Sequence, residues 1–143
     1  GNEVLGSCER EVPVSLKDCP AYLKSGIVLP VIMNEKMKWA VPFSEQNQTK
    51  VIVITPPNMD DEYRYYAEED DKYVFKCVKE DERVFTIYSL KDIFINKLLI
   101  YGNVHEIEVD GKKEEFSIVY ENQTITALRL KSDRWNKLTI TCK

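Results

Sequence analysis

The densest collection of charged and aromatic side chains lies at residues 60–71, where seven carboxylates (Asp60, Asp61, Glu62, Glu68, Glu69, Asp70 and Asp71) and three tyrosines (Tyr63, Tyr65 and Tyr66) surround Arg64. Carboxylates at this density project a negative field that draws in a basic partner and raises its association rate, and tyrosines are rigid, amphipathic anchors for an interface. The segment is read as a loop and as the leading candidate for contact with another protein. A plainer alternative is a solvated connector that keeps neighbouring sheet edges soluble. Two other chemistries suit it less well. Calcium loops space their oxygen ligands as Asp-x-Asp-x-Asp-Gly, a pattern absent from these residues. Sulfation of tyrosines among acids, in a chain that passes through the secretory pathway, would deepen the negative charge.

Catalysis has no recognisable seat. His105 is the only histidine, it stands beside Glu106 in an alternating segment, and neither a Gly-x-Ser-x-Gly elbow nor a His-Glu-x-x-His pair occurs. It is read as an ordinary strand residue. Glycoside hydrolysis needs two carboxylates at a set separation, a distance that a sequence does not contain. The expectation is no enzyme and no cofactor.

The cysteines and sequons speak to compartment. Cys8, Cys19, Cys77 and Cys142 include no Cys-x-x-Cys, and their wide gaps do not suit the close-spaced ligand pairs of structural zinc. Two disulfides are the better reading. Three pairings are open, and the preferred one joins Cys77 to Cys142, each at the end of an alternating segment, leaving Cys8 with Cys19. Each bridge would add about 2–4 kcal/mol by restricting the unfolded chain. Asn47-Gln48-Thr49 and Asn122-Gln123-Thr124 are glycosylation sequons set where polar residues bound strand-like runs, which makes Asn47 and Asn122 candidate glycan acceptors. Thiols and sequons together predict a secreted glycoprotein. Gly1-Asn2-Glu3 has neither a basic nor an apolar leader character, so the chain reads as already processed.

Composition removes other classes. The 143 residues are 43% hydrophobic and 31% charged with a net charge of −4, which fits one globular domain over 1–143 that buries roughly two thirds of its unfolded surface. Acidic and basic residues are mixed and the pI is near 5.2, so no basic face is available for a phosphate backbone. Nucleic acid is not an expected partner. Apolar runs such as 93–101 are broken by Asn96 and Lys97 and fall short of the roughly 20 residues of a membrane helix.

The elements that must position these residues follow a period of two. Val104 to Val109 alternate, Asp110-Gly111 offers the positive φ of a tight turn, and Phe116, Ile118 and Tyr120 alternate on the far side, which predicts a β-hairpin. Further strands are expected at 12–16, 26–33, 37–41, 50–55, 73–79, 83–89, 94–101, 124–130 and 137–142. Short helical turns are allowed at 16–24 and 89–94, and parallel α/β folds are excluded because no amphipathic helix joins two strands. The predicted fold is an all-β antiparallel β-sandwich, with an up-and-down barrel as the alternative. Trp39 reads as core. Trp135, in Asp133-Arg134-Trp135-Asn136, either covers one end of the sandwich or stands exposed as a contact residue.

By elimination, a secreted β domain without catalytic, metal or basic signatures presents its surface for recognition. The leading expectation is a protein that binds a protein partner of basic character, such as a host cytokine, chemokine or immune receptor. A host is suggested by a composition rich in Lys and Ile and poor in Ala and Gly, of the kind that AT-rich coding produces and that viruses and parasites often share. The alternative is a carrier of small hydrophobic ligands with a lipocalin-like barrel lined by Ile52, Ile54, Phe75, Phe85 and Ile87, although the Gly-x-Trp of lipocalins is absent.

Overall fold

Short alternating segments with no helix-forming period leave the chain one way to satisfy its backbone, which is to pair strands. The computed structural model describes residues 23–37, 48–58, 61–67 and 71–143. Among them are eleven strands and no helix: β1 (Val28–Asn34), β2 (Gln48–Ile54), β3 (Asp61–Ala67), β4 (Asp71–Lys79), β5 (Val84–Ile93), β6 (Lys97–Ile100), β7 (Val104–Val109), β8 (Lys112–Lys113), β9 (Phe116–Glu121), β10 (Thr126–Leu130) and β11 (Trp135–Cys142). They form a five-stranded sheet in the order β1-β2-β6-β10-β9 and a six-stranded sheet in the order β3-β4-β5-β11-β7-β8. The two sheets pack face to face as a β-sandwich, as the alternation predicts. All pairings are antiparallel except β2 with β6, where Ile52, Val53 and Ile54 run parallel to Leu98, Leu99 and Ile100. Between those two strands the chain crosses through β3, β4 and β5 of the other sheet, the long excursion that a parallel pair requires.

The core between the sheets takes every second residue. Ile52, Ile54, Leu98 and Leu128 from one sheet meet Phe75, Ile87, Ile107 and Ile140 from the other. The barrel alternative is overturned, because the strands close into two open sheets instead of one ring. Ile52, Ile54, Phe75, Phe85 and Ile87, the residues expected to line a carrier's interior, are packed together in this core.

Several expectations change. The Asp110-Gly111 turn forms as predicted, with φ of 51° and 79°, and Asp110 Oδ1 accepts the backbone N–H groups of Asn136 and Lys137. The hairpin it closes is short. Only Lys112 and Lys113 pair back onto β7; the chain then peels away at Glu114, whose carboxylate accepts from the Ser132 N–H and hydroxyl. Residues 116–121 join β10 in the opposite sheet. Residues 89–94 are strand up to Ile93 instead of a helical turn, and residues 61–67 are strand β3 instead of loop. The segments at 12–16 and most of 16–24 and 37–41, with Trp39, lie outside the described residues; Met37 itself is not in a strand.

The preferred disulfide is also corrected. Cys77 pairs across to Ile87, and Ile87 to Leu138, so Cys142 lies two strands over and four residues further along. That separation is roughly 16 Å from strand spacing and rise, beyond the ~7 Å between Cα atoms that a bridge tolerates. Cys77 and Cys142 accordingly do not bridge to each other. Cys8 and Cys19 lie outside the described residues.

Candidate functional site

The acidic, tyrosine-rich segment is an edge. β3 pairs antiparallel with β4 on one side and ends the six-stranded sheet on the other. Its register sets two alternating rows: Asp61, Tyr63 and Tyr65 lie opposite Cys77, Phe75 and Tyr73, while Glu62, Arg64 and Tyr66 lie opposite Lys76, Val74 and Lys72. β-Branched residues are scarce in this segment, yet it holds strand conformation because β4 offers an apolar template: Phe75 is fully buried, stacked on Tyr73 with ring centroids 6.1 Å apart. The three tyrosines of β3 favour the same extended conformation. Asp60, Glu68, Glu69 and Asp70 lie outside the described residues. An edge strand carries a row of backbone N–H and C=O groups that no strand of its own sheet uses, a template onto which an extended partner can be added.

Across the outward face, one transverse row runs through four strands. Glu62 is in register with Lys76, Lys76 with Tyr88, and Tyr88 with Lys137. Lys137 Nζ sits 5.5 Å from the centroid of the Tyr88 ring, and Lys91 Nζ sits 4.6 Å from that of Tyr73. Both distances are within cation–π range. On the same face, Thr86 and Thr139 are in register and share a hydroxyl hydrogen bond of 3.1 Å. The surface thus mixes charge, aromatic rings and hydroxyls.

Beside it, β5 bulges. Tyr88 lies opposite Lys137 and Ile93 opposite Trp135, so residues 89–92 are set against Asn136 alone. The excess throws Leu90 out to 83% exposure, with Phe94 just beyond the strand at 74%. Asp92 pins the bulge, accepting from Asn136 Nδ2 at 3.4 Å and pairing with Arg134 at 3.3 Å. Large apolar side chains this exposed are the kind that a partner covers. Sequence reading missed both: Leu90 and Phe94 fell in the segment allotted to a helical turn, and four residues facing one is a register fact with no local signature.

Trp135 is not a contact residue. It is fully buried, its Nε1 donates to the Ile95 carbonyl at 2.9 Å, and its ring lies 6.3 Å from that of Phe75. Its polar neighbours in sequence belong to the bulge contacts just described, while the ring enters the core at the first residue of β11. His105 is exposed on β7.

Of the two sequons, Asn47 lies outside the described residues and Asn122 is exposed in the turn between β9 and β10. Among the described residues, no three His, Cys, Asp or Glu side chains gather where an ion could be held. Cys142 Sγ packs against the β6–β7 turn, where a Cβ on Gly102 would come within 3.1 Å of it, and burial pushes its thiol pKa up. It is a packed thiol and a poor nucleophile. Compared with known protein families, characterised proteins and solved structures, the chain has no match, so its residues alone carry the functional reading.

Proposed function

We propose that this chain is a secreted, non-enzymatic binding protein whose six-stranded sheet recognises another protein, with β3 and the Leu90–Phe94 bulge as the contact region. The observation that carries the reading is the juxtaposition, on one sheet, of an acid- and tyrosine-rich edge strand and two large apolar side chains exposed beyond 70%. Carboxylates would steer a basic partner in, and the apolar pair would supply the contact area that holds it. A cytokine, chemokine or immune receptor of a host fits that description. Entry into the secretory pathway is supported by the sequons and by four cysteines without zinc spacing.

Capture of secreted and surface proteins on the purified chain, at physiological and raised salt, tests the reading. A basic partner whose association slows severalfold in Asp61→Asn/Glu62→Gln, and whose dissociation quickens in Leu90→Ser/Phe94→Ser, supports it. A partner indifferent to both pairs moves the interface elsewhere. Non-reducing peptide mapping adds a separate check, since a Cys77–Cys142 linked peptide would contradict the strand register.

A further inference from the structure

The geometry points to Asn122 as the site of an N-linked glycan, built for transfer by the turn in which it sits. The inference rests on the chain's entry into the secretory pathway and goes beyond that reading by selecting one sequon and giving the physical reason. Asn122 Oδ1 accepts three hydrogen bonds, from Thr124 N–H at 2.9 Å, the Thr124 hydroxyl at 3.2 Å and Ile125 N–H at 2.8 Å. Asn122 N–H donates in turn to the Ile125 carbonyl at 2.9 Å. This is an Asx turn closed on itself. The carboxamide oxygen is fully engaged, which fixes the carboxamide's orientation on an exposed residue. Every one of these bonds lies within four consecutive residues, so the turn needs no tertiary contact and can exist in a chain that has not yet folded.

The other sequon is placed differently. Thr49 is the second residue of β2, and its hydroxyl accepts from Lys97 Nζ at 2.8 Å, a residue 48 positions away. After folding, a glycan on Asn122 projects from the end of β9, the edge of the five-stranded sheet, where Ile118 and Val119 are exposed. Bulk there also discourages edge-to-edge pairing.

In the transfer, Asn122 Nδ2 bonds to the anomeric carbon of an oligosaccharide carried on a polyprenyl diphosphate. The bond from that carbon to the carrier's phosphate oxygen breaks, polyprenyl diphosphate leaves, and one amide proton passes to a base of the transferring enzyme.

The full chain behind a cleavable signal sequence, translated into microsomes, provides the test. Signal cleavage and protease protection report entry independently of glycosylation. The expected result is a mass increase reversed by peptide N-glycosidase, absent in Asn122→Gln and Thr124→Ala and retained in Thr124→Ser. Ile125→Pro keeps the sequon but removes the third donor, and should lower occupancy roughly fivefold, the worth of one hydrogen bond in an equilibrium; Ile125→Ala, which keeps the N–H, should not. Entry without sugar at Asn122, sugar at Asn47 alone, or full occupancy in Ile125→Pro would each overturn the inference. Glycosylation in microsomes of a chain that its native cell retains unglycosylated would fault the secretion reading and leave the turn chemistry standing.

Discussion

The two sheets bury themselves differently. In the six-stranded sheet only one face is apolar: along β5 and β11, Phe85, Ile87, Leu138 and Ile140 point into the core, while Tyr88, Lys137 and Thr139 face outward. The five-stranded sheet is apolar on both faces. Ile52, Ile54, Leu98 and Ile100 enter the shared core, and Val51, Val53, Leu99 and Ala127 form a second cluster on the opposite side, joined by Met33, Met37, Leu23 and Tyr120. Met37 reaches it from a left-handed conformation at φ 52°, and the Tyr120 hydroxyl donates to the Met37 carbonyl at 3.5 Å. The sheet with the parallel pair is thus the one covered on both sides, as parallel pairing generally requires. One sheet packs apolar side chains on both of its faces, and the other on one.

A buried charge should separate the sheets most strongly. Leu99→Asp, on the outer cluster of the five-stranded sheet, leaves a carboxylate unpaired and is expected to cost about 4–5 kcal/mol, whereas Leu90→Asp on the six-stranded sheet should stay within about 0.5 kcal/mol. Urea denaturation measures both, and similar losses would erase the distinction. Truncation comes next. Met37→Ala removes a fully buried side chain from the second cluster and should cost about 2–3 kcal/mol; a shift under about 0.5 kcal/mol would mean that this cluster contributes nothing.

Lys97 sharpens the comparison, being the polar exception in the doubly buried sheet. Its side chain is 10% exposed and donates to Glu35 at 2.7 Å and Thr49 at 2.8 Å. Lys97→Met fills similar volume with an apolar chain, and because Glu35 keeps water on one side, stability should change by no more than about 1 kcal/mol in either direction. A larger loss would show that the ion pair, not the packing, holds β1 to β6 at this end. The smallest effect is pH dependence. Lys97, Lys113 and Lys131 hold Glu35, Glu106 and Glu115 below the ordinary carboxylate range. Their folded pKa values are lowered, so their contribution is present above the unfolded value and is lost as pH falls through the folded one. The thermal midpoint should drift down between about pH 5 and pH 3, slightly less in Glu106→Gln. Identical curves for the two proteins would show that the Lys113 pair adds nothing.

The six-stranded sheet was legible in part, since residues 61–67 were read as a loop and 89–94 as a helical turn. Alternation located β4, β5, β7 and β11 to within a few residues, and Asp110-Gly111 marked its turn correctly. The five-stranded sheet was found as strands but not as a sheet, because runs such as Val51–Ile54 and Leu98–Ile100 carry no period that tells one face from the other. At the candidate site, residue types identified the acidic segment but not its conformation, and the exposure of Leu90 and Phe94 left no trace in the local pattern. Trp135 misled for a related reason: its neighbours are polar, and only the Ile95 carbonyl and the Phe75 ring explain why the indole is inside.

The sequence by itself determined what depends on neighbours along the chain: strand class from alternation, the Asp110-Gly111 turn, and the closed Asx turn at Asn122. Tertiary structure alone decided what depends on neighbours across it. Whether Phe116–Glu121 returns to β7 or crosses to β10, whether residues 61–67 are loop or edge strand, and whether Cys77 can reach Cys142 are all questions of register between distant segments. The physical reason is that a strand leaves half its backbone hydrogen bonds to a partner it does not choose locally. That partner is selected by which faces can be buried together, a property of the whole core.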